Sequence, residues 1–283
     1  MSNPLSVINS FLEDMKKNRP DIIINDYYKY IVPIYKNVVR KSEDSIDLCG
    51  TGFFIRTEKN LFFLTCAHVT MECMKSEYKE ILIPFFKQEI DFYNVLELAQ
   101  NMFITNGNGE KKDKVDIFFA KIKPEYVKNL ESIYDFFVKA DCADSIRNIH
   151  LPRKLTAIGY PWTRNKVKKN KLLKSKLYTY TGVELSYAEI DNKRYSIASN
   201  ILYHCKIKNI ADDSELGSNK PKGEGISGGC IFDISEDHPI KLAGMIFEQT
   251  EDKSDHDSKI FVGLNIQTIW TFIDACEKGL LDN

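Results

Sequence analysis

Three residue types that can together carry out nucleophilic acyl transfer occur in this chain, each within a local pattern of its own. Ser227 lies in the glycine-rich stretch GEGISGGCIF, His68 ends the apolar stretch LFFLTCAH, and Asp116 heads the apolar stretch DIFFAKI. A serine hydroxyl needs a base to accept its proton, and histidine has a suitable pKa near neutral pH. A carboxylate on the far side of the imidazole fixes its tautomer and stabilises the imidazolium. These residue types therefore predict attack of a serine on an acyl carbon.

Glycine is concentrated around this serine. Four of the 14 glycines in the chain lie between Gly223 and Gly229. Glycine is used where the backbone adopts unusual dihedral angles or comes very close to another group. A serine in such a turn is either a nucleophile surrounded by backbone N–H groups or an ordinary turn residue, and the turn alone does not decide between them.

The elements that must position these residues are mostly strands. From about residue 30, short runs of β-branched and aromatic residues alternate with polar or glycine turns, which is typical of antiparallel strands. The clearest runs are YIVPIYKNVV, GTGFFIRT, LFFLTCAHV, EILIPFF, DIFFAKI, KLTAIGYP, KLYTYTGVELSYAEI, RYSIASNILYHCKI, GCIFDI, IKLAGMIF and KIFVGL. Helical patterns cover the first 20 residues, residues 123–137 and the C-terminal IQTIWTFIDACEKGLL. Many short strands and few helices favour barrels or a sandwich over a doubly wound sheet.

Composition excludes several function classes. The net charge is −1, so no overall field attracts nucleic acid or a membrane surface. Charged residues interrupt the N-terminal segment, and no run reaches the roughly 18 apolar residues of a membrane span. The seven cysteines are scattered without C-x-x-C pairs, which argues against a disulfide framework or a zinc site. We expect a reduced, cytoplasmic protein without a metal or other cofactor.

Taken together, the three patterns resemble the chymotrypsin-like (trypsin-like) serine peptidase superfamily. Its members carry a glycine-rich strand, a hairpin and a Thr-x-Ala-His segment, which GTG…LTCAHV fits. They carry an Asp at the head of a short apolar strand, which VDIFFAKI fits, and a G-x-S-G-G turn, which GISGG fits. The resemblance covers about residues 30–270 and is strongest to compact bacterial members without a PDZ domain.

The resemblance implies a mainly β fold of two antiparallel six-stranded β-barrels with N-terminal and C-terminal helices. The expected boundaries are an N-terminal helical extension at 1–25, a first barrel at 26–145, a second barrel at 146–265 and a C-terminal helix at 266–283. It also implies the roles of the site residues. His68 is the general base, Asp116 its orienting acid and Ser227 the nucleophile, with the N–H groups of Gly225 and Ser227 as the oxyanion hole.

The substrate pocket follows from the same resemblance, which places its walls around the nucleophile turn and the strand after it. The residues expected there are Pro221, Lys222, His204, Phe247, Glu248 and Gln249. Glu248 favours a basic substrate residue if it faces the pocket, and His204 is either a pocket residue or an ordinary barrel histidine.

The expected function is a regulated cytoplasmic serine endopeptidase acting on a protein or peptide, with a regulatory protein partner as a further expectation. Family-level analogy adds bacterial defence as a setting. The alternative is a catalytically silent trypsin-like fold that serves as a binding or sensor module. An α/β-hydrolase requires the order Ser, Asp, His and a parallel sheet with many helices, and the 56 residues after Ser227 do not supply that architecture.

Four local features qualify the resemblance. Asp113 competes with Asp116 but lies in the charged run EKKDK, which indicates a solvated residue. Ile226 stands where trypsin-type zymogens have the Asp that pairs with a freed N-terminus, so activation by N-terminal cleavage is not expected. Val69 stands where secreted members have the disulfide partner of Cys49. The run 153–176 holds nine basic residues and no acid. It is either a solvated hairpin of the second barrel or a docking surface for an acidic substrate or a nucleic acid.

Overall fold

The computed structural model describes residues 27–40, 43–86, 90–105, 115–143, 153–161, 177–184, 202–208, 225–234, 240–251 and 258–281. The predicted N-terminal helix, Asp113, Pro221, Lys222 and most of the basic run lie outside these residues. No helix in the described ranges is long and apolar enough to cross a membrane.

The N-terminal half forms one antiparallel sheet of seven strands. Their bounds are β1 Ile31–Arg40, β2 Glu43–Arg56, β3 Leu61–Thr65, β4 Leu82–Phe86, β5 Ile90–Asn94, β6 Ala99–Ile104 and β7 Phe118–Ile122. Across the sheet the order is β5-β4-β1-β2-β3-β7-β6. The helices of this half are α1 Ala67–Met74, α2 Val95–Leu98 and α3 Pro124–Glu131, followed by a 3-10 turn at Lys139–Asp141.

The C-terminal half forms a second antiparallel sheet. Its strands are β8 Lys154–Gly159, β9 Tyr178–Glu184, β10 Leu202–Lys208, β11 Cys230–Asp233, β12 Lys241–Glu251 and β13 Ser258–Asn265. Their order is β10-β13-β12-β11-β8-β9, and two further residue pairs between β9 and β10 close the sheet on itself. The chain continues into helix α4, Ile266–Glu277, whose first turn is capped by the Asn265 side chain.

These sheets confirm the prediction of a mainly β protein. The first sheet has seven strands instead of the six that the resemblance implies, and two of them, β5 and β6, were not revealed by the sequence patterns. The predicted helix over 123–137 is wrong at its C-terminal end, since α3 stops at Glu131. Phe137 instead exchanges backbone hydrogen bonds with Phe54 and Arg56 of β2.

Aromatic packing joins the two sheets. The ring of Phe137 lies 5.8 Å from Phe53 of β2, 4.6 Å from Tyr30 and 5.8 Å from Phe232 of β11. All but Tyr30 are fully buried. The segment after α3 therefore bridges the sheets, and burial of such large side chains stabilises their junction.

Candidate active site

His68 lies at the start of helix α1, directly after the end of a buried strand. The sequence pattern extended the strand to His68, but β3 ends at Thr65 and α1 begins at Ala67. Between them, Cys66 adopts extended dihedral angles, φ −75° and ψ 145°. Because Ala67 and Val69 face the core, the intervening His68 side chain points outward and is 49% exposed.

The structure brings His68 and Asp116 together through two hydrogen bonds. The ring Nδ1 of His68 lies 2.5 Å from Oδ2 of Asp116, and the backbone N–H of His68 donates to Oδ1 at 3.0 Å. β3 pairs with β7 so that Thr65 stands opposite Phe118, which places both residues at one end of the two strands. A carboxylate held at Nδ1 directs the ring so that Nε2 is the nitrogen left to act as a base.

The turn that carries Ser227 depends on its glycines. Gly225 and Gly228 have φ values of 95° and 84°, a region that favours glycine. A Cβ on Gly228 would lie 1.9 Å from the carbonyl oxygen of Thr51. The Gly229 N–H donates to the Ile226 carbonyl at 2.8 Å and closes the turn.

Strand β2 connects this turn to helix α1. The backbone N–H of Thr51 donates to the Ser227 carbonyl at 2.9 Å. A Cβ on the preceding Gly50 would lie 2.5 Å from a methyl group of Val69 and 3.2 Å from the same Ser227 carbonyl. The serine turn and helix α1, which carries His68, therefore lie on either side of the Gly50 backbone, so close that a Cβ there would contact both.

A second connection runs through the carbonyl of Ile246 in β12. It accepts hydrogen bonds from the Gly228 N–H at 2.7 Å and from the Cys66 thiol at 3.1 Å. The residue after Ser227 and a residue two before His68 thus share one acceptor.

In the described part of the chain no hydrogen bond joins Ser227 to His68. In unliganded catalytic sites that contact is often long and tightens when substrate binds.

The backbone donors expected for an oxyanion hole are available. Among the residues that the structure describes, neither the Gly225 N–H nor the Ser227 N–H donates a hydrogen bond. The Gly225 carbonyl is held by the hydroxyl of Thr51 at 3.1 Å. Two unpaired N–H groups two residues apart can stabilise a developing negative charge.

Cys66 raises the question of a metal site, because its Sγ and the ligand atoms of His68 and Asp116 all lie within 4.8 Å of one another. A metal requires the thiolate form of cysteine. Burial raises the pKa of the Cys66 thiol well above its usual value, and the Asp116 carboxylate raises it further. The thiol also donates to a carbonyl, so this arrangement suits a hydrogen-bonded triad better than metal coordination.

Cys230 is fully buried as the first residue of β11.

The expected pocket residues are only partly described. Phe247 follows Ile246 at a register shift in β12, is 9% exposed and packs into the core, while Glu248 pairs with Val262 and is partly exposed. The backbones of His204 and Gln249 lie in β10 and β12, but their side chains are outside the description.

A group of residues that were not predicted from the sequence holds the serine turn. Thr51 contacts the turn directly, Thr65 donates to the Thr51 carbonyl at 2.7 Å, and the Tyr160 N–H donates to the Thr51 hydroxyl at 3.0 Å. Thr51 stands between Gly50 and Gly52 in a strand of mixed apolar and charged residues, so no local feature of the sequence indicated this role.

No protein-family model matches this chain, and neither does any curated protein sequence. The functional assignment therefore depends on the residues of the site and on their geometry.

Proposed function

We propose that this protein is a serine endopeptidase of the chymotrypsin-like class, in which the two sheets correspond to the two barrels of that fold. The observation that carries the proposal is the double hydrogen bond between His68 and Asp116. It is supported by the neighbouring glycine turn of Ser227, where the N–H groups of Gly225 and Ser227 donate no hydrogen bond to any residue that the structure describes.

The reaction follows from these groups. Ser227 Oγ attacks the carbonyl carbon of a peptide bond, and its proton passes to Nε2 of His68. The N–H groups of Gly225 and Ser227 stabilise the resulting oxyanion by about 3–4 kcal/mol per donor. Nε2 then protonates the leaving amine as the C–N bond breaks, and water hydrolyses the acyl-enzyme by the same route. The Asp116 carboxylate stabilises the imidazolium that forms.

The substrate is a protein or peptide, and the enzyme acts in a reducing cytoplasm under the control of a partner or of narrow specificity. Ile226 is buried in the serine turn, and its apolar side chain cannot form an ion pair with a freed N-terminus. Control by N-terminal cleavage of the trypsin type is therefore not part of the proposal.

The test is labelling of purified protein with a fluorophosphonate, which phosphonylates activated serines. Wild type and Ser132→Ala, which removes an exposed serine at the end of α3, are expected to label equally. Ser227→Ala and His68→Ala are expected to stay unlabelled while keeping the wild-type circular dichroism spectrum. A folded wild type that does not label contradicts the proposal and favours a binding or sensor module.

A further inference from the structure

Thr51 is a fully buried polar residue at the junction of the two sheets, and each of its polar groups has a partner. Its N–H donates to the Ser227 carbonyl at 2.9 Å, and its hydroxyl donates to the Gly225 carbonyl at 3.1 Å. The hydroxyl accepts from the Tyr160 N–H at 3.0 Å, and its own carbonyl accepts from Thr65 at 2.7 Å. A buried hydroxyl is costly unless it is paired in this way.

The neighbouring backbone is shaped around this side chain. A Cβ on Gly159, at the end of β8, would lie 3.1 Å from the Thr51 hydroxyl oxygen, and one on Gly228 would lie 1.9 Å from the Thr51 carbonyl oxygen. Glycines from two different segments thus leave the space that Thr51 occupies. Three parts of the chain meet there: strand β2, the serine turn and the residue after β8.

These contacts restrain the peptide groups of the serine turn. Three consecutive carbonyls are held, those of Gly225 and Ser227 by Thr51 and that of Ile226 by the Gly229 N–H. In a planar trans peptide the N–H points opposite to the carbonyl, so a held Ile226 carbonyl sets the direction of the Ser227 N–H. Gly225, at φ 95°, has the conformational freedom to rotate its peptide groups once its carbonyl is released.

We propose that Thr51 is a positioning residue whose hydroxyl holds the serine turn in the conformation that directs its N–H groups toward the substrate oxyanion. This inference rests on the proposed function. It assigns Thr51 no contact with substrate. The Thr51 hydroxyl is expected to affect the rate of the chemical step and not the binding of substrate, because the oxyanion develops only in the transition state.

The test compares Thr51→Val, which removes the hydroxyl at nearly constant volume, with Thr51→Ser, which keeps it. Inactivation by a fluorophosphonate is resolved into the maximal rate constant and the half-saturating concentration. Thr51→Val is expected to lower the rate constant about 10- to 100-fold with the half-saturating concentration unchanged, and Thr51→Ser to stay within about threefold of wild type. If Thr51→Val does not fold, Thr51→Cys replaces it, since a thiol is a weaker donor and gives an intermediate loss.

Thr57→Val is the matched control. The Thr57 hydroxyl also makes several hydrogen bonds, to Asn60 and Glu277, but at the β2–β3 turn far along the strand from Thr51. The Thr57→Val variant is expected to be less stable than wild type but to keep the wild-type rate constant of inactivation. The inference is overturned if Thr51→Val keeps the wild-type rate constant, if Thr51→Ser loses as much, or if Thr57→Val loses as much.

Hydrogen exchange separates this inference from the proposed function. Amide exchange in peptides that cover residues 223–232 is expected to be faster in Thr51→Val than in wild type and Thr51→Ser. If wild type does not react with the fluorophosphonate, the proposed function fails, and exchange alone decides whether Thr51 holds the turn. Unchanged exchange in Thr51→Val overturns the inference in either case.

Discussion

Replacing Gly228 with alanine tests the packing that holds Ser227 in place. Its φ of 84° costs an L-residue about 1–2 kcal/mol. The new Cβ would also lie 1.9 Å from the Thr51 carbonyl oxygen and 2.4 Å from the Thr65 hydroxyl oxygen. Relieving these contacts costs about 1–3 kcal/mol as overpacking and about 1 kcal/mol for the displaced hydrogen bond from the Thr65 hydroxyl to the Thr51 carbonyl.

Gly279→Ala is the control that isolates the packing effect. Gly279 has a φ of 67°, but nothing lies within 4 Å of a Cβ built there. It is therefore expected to lose only about 1–2 kcal/mol, against about 3–6 kcal/mol for Gly228→Ala. The free energy of unfolding, measured by urea denaturation, gives both values. Equal losses in the two variants would refute the close approach of the serine turn to β2.

Three further predictions concern the triad, the core and a surface ion pair. Asp116→Asn is expected to fold normally and to lower the rate of fluorophosphonate inactivation about 10³- to 10⁴-fold, because the His68 ring loses its fixed tautomer; an unchanged rate excludes this role. Phe137→Ala is expected to cost about 3–5 kcal/mol in urea denaturation, since the ring is 1% exposed between both sheets; a cost under about 1 kcal/mol contradicts that packing. The hydrogen bond from Lys36 lowers the pKa of Glu72. The stabilisation that the Lys36–Glu72 ion pair gives the folded protein is at most about 1 kcal/mol. It is present above the ordinary glutamate pKa and is lost as pH falls through the lowered pKa of Glu72. Wild type and Glu72→Gln should differ in stability at pH 7 and converge below about pH 3, and a difference that persists there refutes this cause.

The strands of the core were predictable from sequence because their residues are nearly all apolar. All five residues of β3 are buried, and the pattern LFFLT reveals such a strand without further information. β6, with the sequence AQNMFI, is mostly exposed and carries little of this signal, so it was missed. The end of α3 was also missed, because Phe137 leaves the helical pattern to pair with β2, a tertiary contact that local periodicity does not encode.

The candidate site shows the same division. His68, Asp116 and Ser227 stand in recognisable motifs, and the antiparallel pairing of β3 with β7 is enough to bring the first two together. The part played by Thr51 follows only from the packing of β2 against a turn 174 residues later in the chain. A threonine between two glycines has no local feature that would indicate such a partner.

The central claim is that Ser227 cleaves peptide bonds. The most direct measurement is to incubate wild type and Ser227→Ala with a mixture of peptides derived from a whole proteome and to identify new termini by mass spectrometry. We expect new termini with wild type that are missing with Ser227→Ala. Identical peptide sets from the two proteins, in a preparation whose Ser227 reacts with a fluorophosphonate, would contradict the assignment as a peptidase.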